Sequence, residues 1–338
     1  MKYKVLGNSG LMVSTLCLGT MTFGGKGKGV YEMVGTLEQP AVDEQIKRAV
    51  DAGINFIDTA NIYAEGRSEE LTGQAIRNLG LKRDNLVLAT KVCAPTGKGV
   101  NDQGLSRKHI MQQVEASLKR LQTDYIDLYQ THNWDPLVPL EETLRAMDDL
   151  ISSGKVRYIG GSNHMAWYMM KALAVSDKHG LHSYISMQSH YSIATRELER
   201  DVVPALSDQN VGLMVWSPLC AGLLSGKYQR NGETTEAGRY QHHSFIPVDT
   251  ERAFNILDVL HVMAADKGTS VAQLSLAWLL HQPAVSSVII GANKMSQLED
   301  NLGAVDVTLT PEELKQLDEV SKLAVEYPGW IAYRRDRK

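Results

Sequence analysis

The sequence predicts an α/β fold, a closed (β/α)8 TIM barrel, on three observations. Short apolar runs alternate with amphipathic stretches eight times, the alternation continues without a break in composition, and no dinucleotide-binding glycine turn follows the first run. The runs are Leu16 to Thr20, Phe56 to Thr59, Leu86 to Lys91, Ile126 to His132, Val156 to Gly161, Tyr184 to Gln188, Gly212 to Ser217 and Val288 to Gly291. Most are short and apolar, as parallel strands covered on both faces should be. An open doubly wound sheet would produce nearly the same local pattern, but it calls for G-x-G-x-x-G directly after its first strand. The GGKGKG run at Gly24 to Gly29 misses that register. With Gly27 after Lys26 it also misses the phosphate-loop pattern, so it reads as a flexible loop.

The elements follow in order. Residues 2–15 read as a hairpin turning at Gly7-Asn8-Ser9-Gly10, placed to plug the barrel floor. Val42, Ile46, Ala49 and Val50 recur at helical spacing, and Gly53 stands where a left-handed terminator is wanted. Ser106 is a candidate cap for a stripe of Ile110, Val114, Leu118 and Leu121. Leu140, Leu144, Met147 and Ile151 form another that ends at Gly154. Residues 220–249 lack either period and read as a long loop over the site. The pair His242-His243 on that loop has no third ligand at suitable spacing, so no metal is expected. A helix and tail at 310–338 complete a chain read as one barrel domain over 1–338.

Composition narrows the function. The 338 residues are 43% hydrophobic and 22% charged, which fits a folded globular chain and excludes disorder or a coiled coil. Lys plus Arg number 35 against 39 Asp plus Glu, so there is no general attraction to nucleic acid or anionic membrane. Cys17, Cys93 and Cys220 are widely spaced and odd in number, which suggests reduced thiols. The start lacks the apolar run of a signal peptide, and no 18-residue uncharged apolar stretch occurs, so a soluble cytoplasmic protein is expected. Oligomeric state is not readable.

In a barrel, chemistry gathers where the strands end. Here Asp58, Lys91, His132, Ser162, Asn163, Gln188, Trp216 and Ser217 all close otherwise apolar runs. Singly, each has a structural reading: a cap for Asp58, a snorkelling Lys91, an amide satisfying a loop. Together, polar groups at one narrow mouth must pair with one another, which favours a site. Asp58, Lys91, Tyr63 and His132 make chemical sense as a set. A phenol titrates near ~10, and a neighbouring ammonium favours its phenolate and is expected to lower that value. Lys91 would supply the charge, Asp58 would hold Lys91, and His132 would bond the substrate oxygen or the phenol, so the set would protonate a developing alkoxide. The reaction implied is carbonyl reduction.

These residues carry a resemblance. The segments GTMTF from Gly19, GINFIDTANIYAEGRSEE from Gly53, LATK ending at Lys91, DLYQTH ending at His132, KVRYIGGSNH from Lys155, WSPLCAGLLSGKY from Trp216 and IIGANKMSQLEDNLGA from Ile289 resemble the aldo-keto reductase family. With the Gln188 strand they span nearly the whole chain. The resemblance implies NADP(H) as cofactor and an aldehyde, ketone or alcohol as substrate, with Tyr63 as general acid among Asp58, Lys91 and His132. It also implies that Gly19, Thr20 and Met21 line the cofactor, and that Ser162, Asn163 and Gln188 bond its carboxamide. Trp216 would stack on the nicotinamide, although many relatives carry Tyr there. Ser217, with the amides of Leu219, Gly222 and Leu224 and the Lys227 ammonium, would cover the pyrophosphate. Gly291, Asn293, Lys294 and Gln297 would face the adenosine 2'-phosphate, Asn301 the adenine, and Arg239 would fold over that end. Some relatives carry Lys at Gly291 and Arg at Gln297, so Lys294 is the cation on which NADP preference rests.

Phe23, Trp134 and the tail YPGWIAYRR are read as the substrate rim, together with Tyr63 and His132. Two other readings use the same residues. The family also contains the β subunits of voltage-gated potassium channels, which bind NADP as partners more than as catalysts. A barrel aldolase would instead use Lys91 as a Schiff-base nucleophile.

Overall fold

The computed structural model describes residues 1–24, 31–230, 233, 234, 240 and 246–332. Eight parallel strands close into a barrel: β3 (Leu16–Gly19), β4 (Phe56–Asp58), β5 (Val87–Val92), β6 (Ile126–Thr131), β7 (Val156–Ser162), β8 (Ser186–His190), β9 (Gly212–Trp216) and β10 (Val285–Ile290), with β10 pairing β3. Six strands lie within one residue of their predicted runs at either end, and two differ by more. β8 starts and ends two residues later than its apolar run, because its ladder with β9 continues through Gln188↔Met214 to His190↔Trp216. β10 begins three residues earlier, at Val285, where Ser286 and Ser287 break the apolar pattern yet lie buried. The Ser287 hydroxyl is satisfied by the Ser14 carbonyl at 2.8 Å, so the strand continues through a polar pair.

The period of two along the strands sorts the barrel interior into layers. Cys17, Phe56, Val87, Ala89, Leu128, Ile185, Met214 and Ile289 form an apolar plug with Leu6 and Val13 of the N-terminal hairpin. That hairpin, β1 (Tyr3–Val5) with β2 (Met12–Ser14), is the expected floor. Its turn comes so close that a Cβ at Gly7 would lie 2.0 Å from the Ile185 carbonyl oxygen and 2.7 Å from the Gly212 nitrogen; Gly7 also sits at φ +57°. Only glycine satisfies both demands. Two residues beyond the plug on β4, β5 and β6 the buried side chains turn polar, at Asp58, Lys91 and Gln130, and Gln188 of β8 joins them.

The anticipated helices surround the barrel. Gln39–Asp51 buries Val42, Ile46 and Ala49, and Gly53 follows it at φ +89°. Ser106 caps Arg107–Leu121 by accepting from the His109 amide, and Leu140–Ser152 runs out before Gly154. A helix at Pro311–Ser321 opens with a capping box between Thr310 and Glu313. Arg196 ties the loop after β8 to that helix through Asp318 at 2.8 Å and Ser321 at 2.7 Å. In the long loop, Cys220–Ser225 forms a 3-10 segment that the sequence pattern did not show, and regular helix resumes at Thr250–Lys267. Arg239, His242-His243 and residues 25–30 lie outside the described residues. Among the described residues no helix is long and apolar enough to cross a membrane.

One buried ion pair locks two helices to the barrel wall. Glu69, fully buried on helix Arg67–Asn78, accepts from Arg120 Nε at 2.6 Å and from the Thr90 hydroxyl at 2.5 Å. Removing one partner strands the other without its charge complement, a loss of about 3 kcal/mol for a pair of this kind. Glu69→Ala should therefore lower the urea midpoint strongly, and Glu69→Gln, which keeps the acceptor for Thr90, should lower it less. Equal midpoints for wild type and Glu69→Ala would contradict the assignment.

Candidate active site

Asp58, Lys91 and His132 arrive at the barrel mouth because each stands within one residue of the end of its strand. Tyr63 arrives on a short 3-10 segment, Tyr63–Gly66, that follows β4. Ala64 and Glu65 adopt left-handed backbone there, φ 48° and 57°, which turns the chain sharply after the tyrosine. Lys91 Nζ lies at the centre. It donates to Asp58 Oδ2 at 2.5 Å, to the Thr59 carbonyl at 2.8 Å and to the Tyr63 hydroxyl at 3.3 Å. The His132 ring meets the Tyr63 ring edge-on, centroids 5.9 Å apart. The expected quartet is assembled.

Its electrostatics differ from the expectation in one respect. The Tyr63 phenol is pushed above its ordinary value, because burial disfavours the phenolate by more than Lys91 favours it, and Asp58 adds to the upward push. The anticipated lowering is corrected: Tyr63 rests as a neutral donor. Burial also pulls on the Lys91 ammonium, but Asp58 and Tyr63 hold the proton there and the net shift is upward. Burial and the nearby Lys91 charge push His132 down to about 3, so its ring is neutral at ordinary pH. The buried His132 Nδ1 has no hydrogen-bond partner among the described residues. A neutral phenol, a fixed cation beside it and a neutral imidazole can protonate an oxygen as negative charge builds on it.

The residues expected on the cofactor side form a second connected group. Trp216 Nε1 donates to Asn163 Oδ1 at 2.9 Å; Asn163 Nδ2 reaches the His132 carbonyl at 3.0 Å and Ser162 Oγ at 3.1 Å. Asn163 adopts φ +58°, a conformation that asparagine tolerates better than most residues. Gln188 Nε2 bonds Asp58 Oδ1 at 2.9 Å. Gly291 lies against β3: a Cβ there would stand 3.7 Å from the Gly19 carbonyl oxygen. Asn293 and Lys294 are exposed just before helix Met295–Leu302, and the Asn293 amide donates to Gln297 Oε1 at 3.0 Å. Asn301 is buried on that helix. Ser217 through Gly226 is a tight turn with Ser217, Cys220, Ala221 and Gly222 all at positive φ. Open space faces Gly222, where a Cβ would meet nothing within 4 Å. The exposed Asn163 amide, the open glycine of a tight turn and an exposed lysine at a helix start suit the amide, diphosphate and phosphate of a dinucleotide.

Several expected contacts fall elsewhere. Phe23 is fully buried in the core, its backbone bridged to Leu37, and does not form the rim. Gly19 is small because a Cβ would come within 2.6 Å of Ile289 Cγ2. The Thr20 hydroxyl is bonded to Ser68 Oγ at 2.8 Å and turned into the fold; Met21 beside it is partly exposed. The amides of Gly222 and Leu224 both donate to the Leu219 carbonyl, at 2.9 and 3.1 Å, and hold the turn itself. Lys227 Nζ sits 5.4 Å from the centre of the Tyr228 ring. Trp134, on the loop after β6, joins an aromatic group with Trp167 at 5.8 Å and Tyr168 at 5.4 Å, both in the first turn of helix Ala166–His179 after β7. Of the tail, Tyr327 and Trp330 are exposed with rings 6.2 Å apart.

Sequence reading missed three residues. Ser68 braces Thr20 and Thr59, and the Tyr31 ring stands 6.4 Å from that of Tyr63. Gln130, fully buried, bonds Asp58 Oδ1 at 3.0 Å. Alternation along β6 would have revealed Gln130, since Leu128, Gln130 and His132 share one face of the strand. No comparable signal marked Tyr31.

Residues 15–322 match the family model described as Aldo/keto reductase family. The chain belongs to this family. Among its relatives, this aldo/keto reductase is 38% identical over 328 residues to a probable voltage-gated potassium channel subunit beta of Arabidopsis thaliana, covering 95% of this chain and 96% of the relative. It is 38% identical over 338 residues to a putative aryl-alcohol dehydrogenase of Schizosaccharomyces pombe, covering 94% and 95%. It is 35% identical over 350 residues to the versiconal hemiacetal acetate reductase of Aspergillus parasiticus, covering 97% and 99%. Membership identifies an oxidoreductase acting on carbonyl groups.

Proposed function

We propose that this aldo/keto reductase reduces aromatic or other apolar aldehydes and ketones to alcohols, with NADPH as hydride donor and Tyr63 as proton donor. The observation that carries the reading is the buried Lys91 ammonium held between Asp58 at 2.5 Å and the Tyr63 hydroxyl at 3.3 Å. When bound, the reduced dinucleotide would supply the hydride. The chain's own part is to hold the carbonyl oxygen near Tyr63 and His132 and to deliver the phenolic proton while Lys91 offsets the charge left behind. Ser162, Asn163 and Gln188 offer amide and hydroxyl groups for the carboxamide, and Trp216 offers the ring for stacking. The aromatic wall of Trp134 and Trp167, with the exposed Met165 against Trp167, supports an apolar substrate, as does the similarity to a putative aryl-alcohol dehydrogenase. A panel of aldehydes and ketones scored by NADPH consumption tests the reading. Binding of NADPH with no turnover on any of them would favour the partner-subunit reading. A borohydride-trapped adduct at Lys91 without nicotinamide oxidation would favour the aldolase.

The preference for NADPH over NADH rests on Lys294. Loss of one charged contact to phosphate is worth about 1.5–3 kcal/mol, or roughly 10–100-fold in affinity. Lys294→Ala should weaken NADPH by that factor and leave NADH nearly unchanged, measured by titration of each. Equal losses would show that Lys294 does not read the phosphate.

A further inference from the structure

Gln130 has no part in the reading above, yet it is fully buried at the centre of the polar layer. It pairs with Lys91 across β5 and β6 and with Gly160 across β6 and β7. Gly160 leaves it room: a Cβ there would stand 3.4 Å from Gln130 Cγ. Gln130 Nε2 donates to Asp58 Oδ1 at 3.0 Å, Gln188 Nε2 donates to the same oxygen at 2.9 Å, and Gln188 Nε2 also lies 3.3 Å from Gln130 Oε1. A carboxylate only accepts, so both amides must turn nitrogen toward Asp58. Gln130 must then turn its oxygen toward Gln188, whose second N–H meets it. The three side chains close a ring in which neither amide can flip without placing oxygen against oxygen. The other Asp58 oxygen serves Lys91.

We infer that Gln130 is a positioning residue that locks the Gln188 amide nitrogen inward on Asp58, leaving the Gln188 oxygen as the fixed acceptor for the amide of the nicotinamide ring. The inference rests on the NADPH reading and adds a residue that touches neither substrate nor cofactor. It makes Asp58 a junction, with one oxygen on the proton-donating side and the other on the cofactor side. Without Gln130, Gln188 keeps its bond to Asp58 but loses the second contact that fixes the plane of its amide and the direction of its oxygen.

The test uses Gln130→Met, which keeps length and apolarity, and Gln130→Glu, whose protonated form mimics the amide donor. The charged and titratable groups around this position are Asp58 on β4, Lys91 on β5, Tyr63 after β4, His132 just beyond β6, and Cys17 on β3, whose thiol is held protonated by burial; β7 and β8 present the uncharged Gly160, Ser186 and Gln188. A second carboxylate beside Asp58 favours the protonated acid at low pH and repels once ionised. Gln130→Met should weaken NADPH binding roughly tenfold or more at every pH. Gln130→Glu should bind nearly as wild type in acid and lose affinity progressively as pH rises. In cofactor-free, 15N-glutamine-labelled protein, the Gln188 side-chain amide should exchange with solvent faster in Gln130→Met than in wild type. Unchanged exchange and wild-type affinity in Gln130→Met, or a pH profile of Gln130→Glu parallel to wild type, would overturn the inference. Wild-type protein run alongside separates the cases: if it neither binds nor oxidises NADPH, the functional reading itself has failed, whatever the variants' amide exchange shows.

Discussion

Tyr63→Phe is expected to lower turnover by roughly 10²–10⁴-fold, the usual contribution of a positioned general acid, while NADPH affinity stays close to wild type. The substitution removes only the hydroxyl. The ring that remains still packs between Tyr31 and His132, and none of the groups offered to the cofactor changes. His132 cannot replace the donor by ionising, because burial and Lys91 keep it neutral down to about pH 3. The Tyr63 phenol, raised by burial, loses its proton only above its ordinary range, so the basic limb of the wild-type pH profile should lie high and no histidine limb should appear near neutrality. Steady-state turnover and a separate NADPH titration check both halves. Full turnover by Tyr63→Phe would remove the basis of the proposed chemistry.

The second large effect is expected at Lys91. Lys91→Met leaves the Asp58 carboxylate buried with amide donors from Gln130 and Gln188 but no countercharge, and breaking a buried pair this way costs about 3–5 kcal/mol. The urea midpoint should fall accordingly, and turnover should fall with it because nothing then offsets the developing phenolate. The double variant Asp58→Asn/Lys91→Met removes both charges and keeps an oxygen to accept from the Gln130 and Gln188 amides, so it should recover much of the stability and none of the activity. A double variant no more stable than Lys91→Met would show that the ion pair is not the source of the loss.

Different levels of the molecule were legible to different degrees. The strand ends announced themselves because a charge or amide closing an apolar run is unusual; Asp58, Lys91, His132 and Gln188 were therefore readable, and the structure brings them to one mouth. Gln130 escaped because it lies inside its run, where a polar residue looks like noise until the inward face of β6 is known. Phe23 was misread for the opposite reason. An aromatic near the end of a strand suits a rim and a core equally well, and only the packing around Leu37 decides.

The Tyr63 phenol makes the same point energetically. That a lysine would stand beside it was apparent from residue types and spacing. The direction of its shift was not, because Coulomb attraction and desolvation oppose each other and their balance depends on how much water the surrounding atoms exclude. Periodicity and residue chemistry along the chain by themselves determined the barrel, its floor hairpin and the identities of the four central groups. Which amides lock together, which aromatic lines the mouth and whether the phenol rests as donor or anion were decided only in three dimensions, because each depends on contacts between strands far apart in the chain.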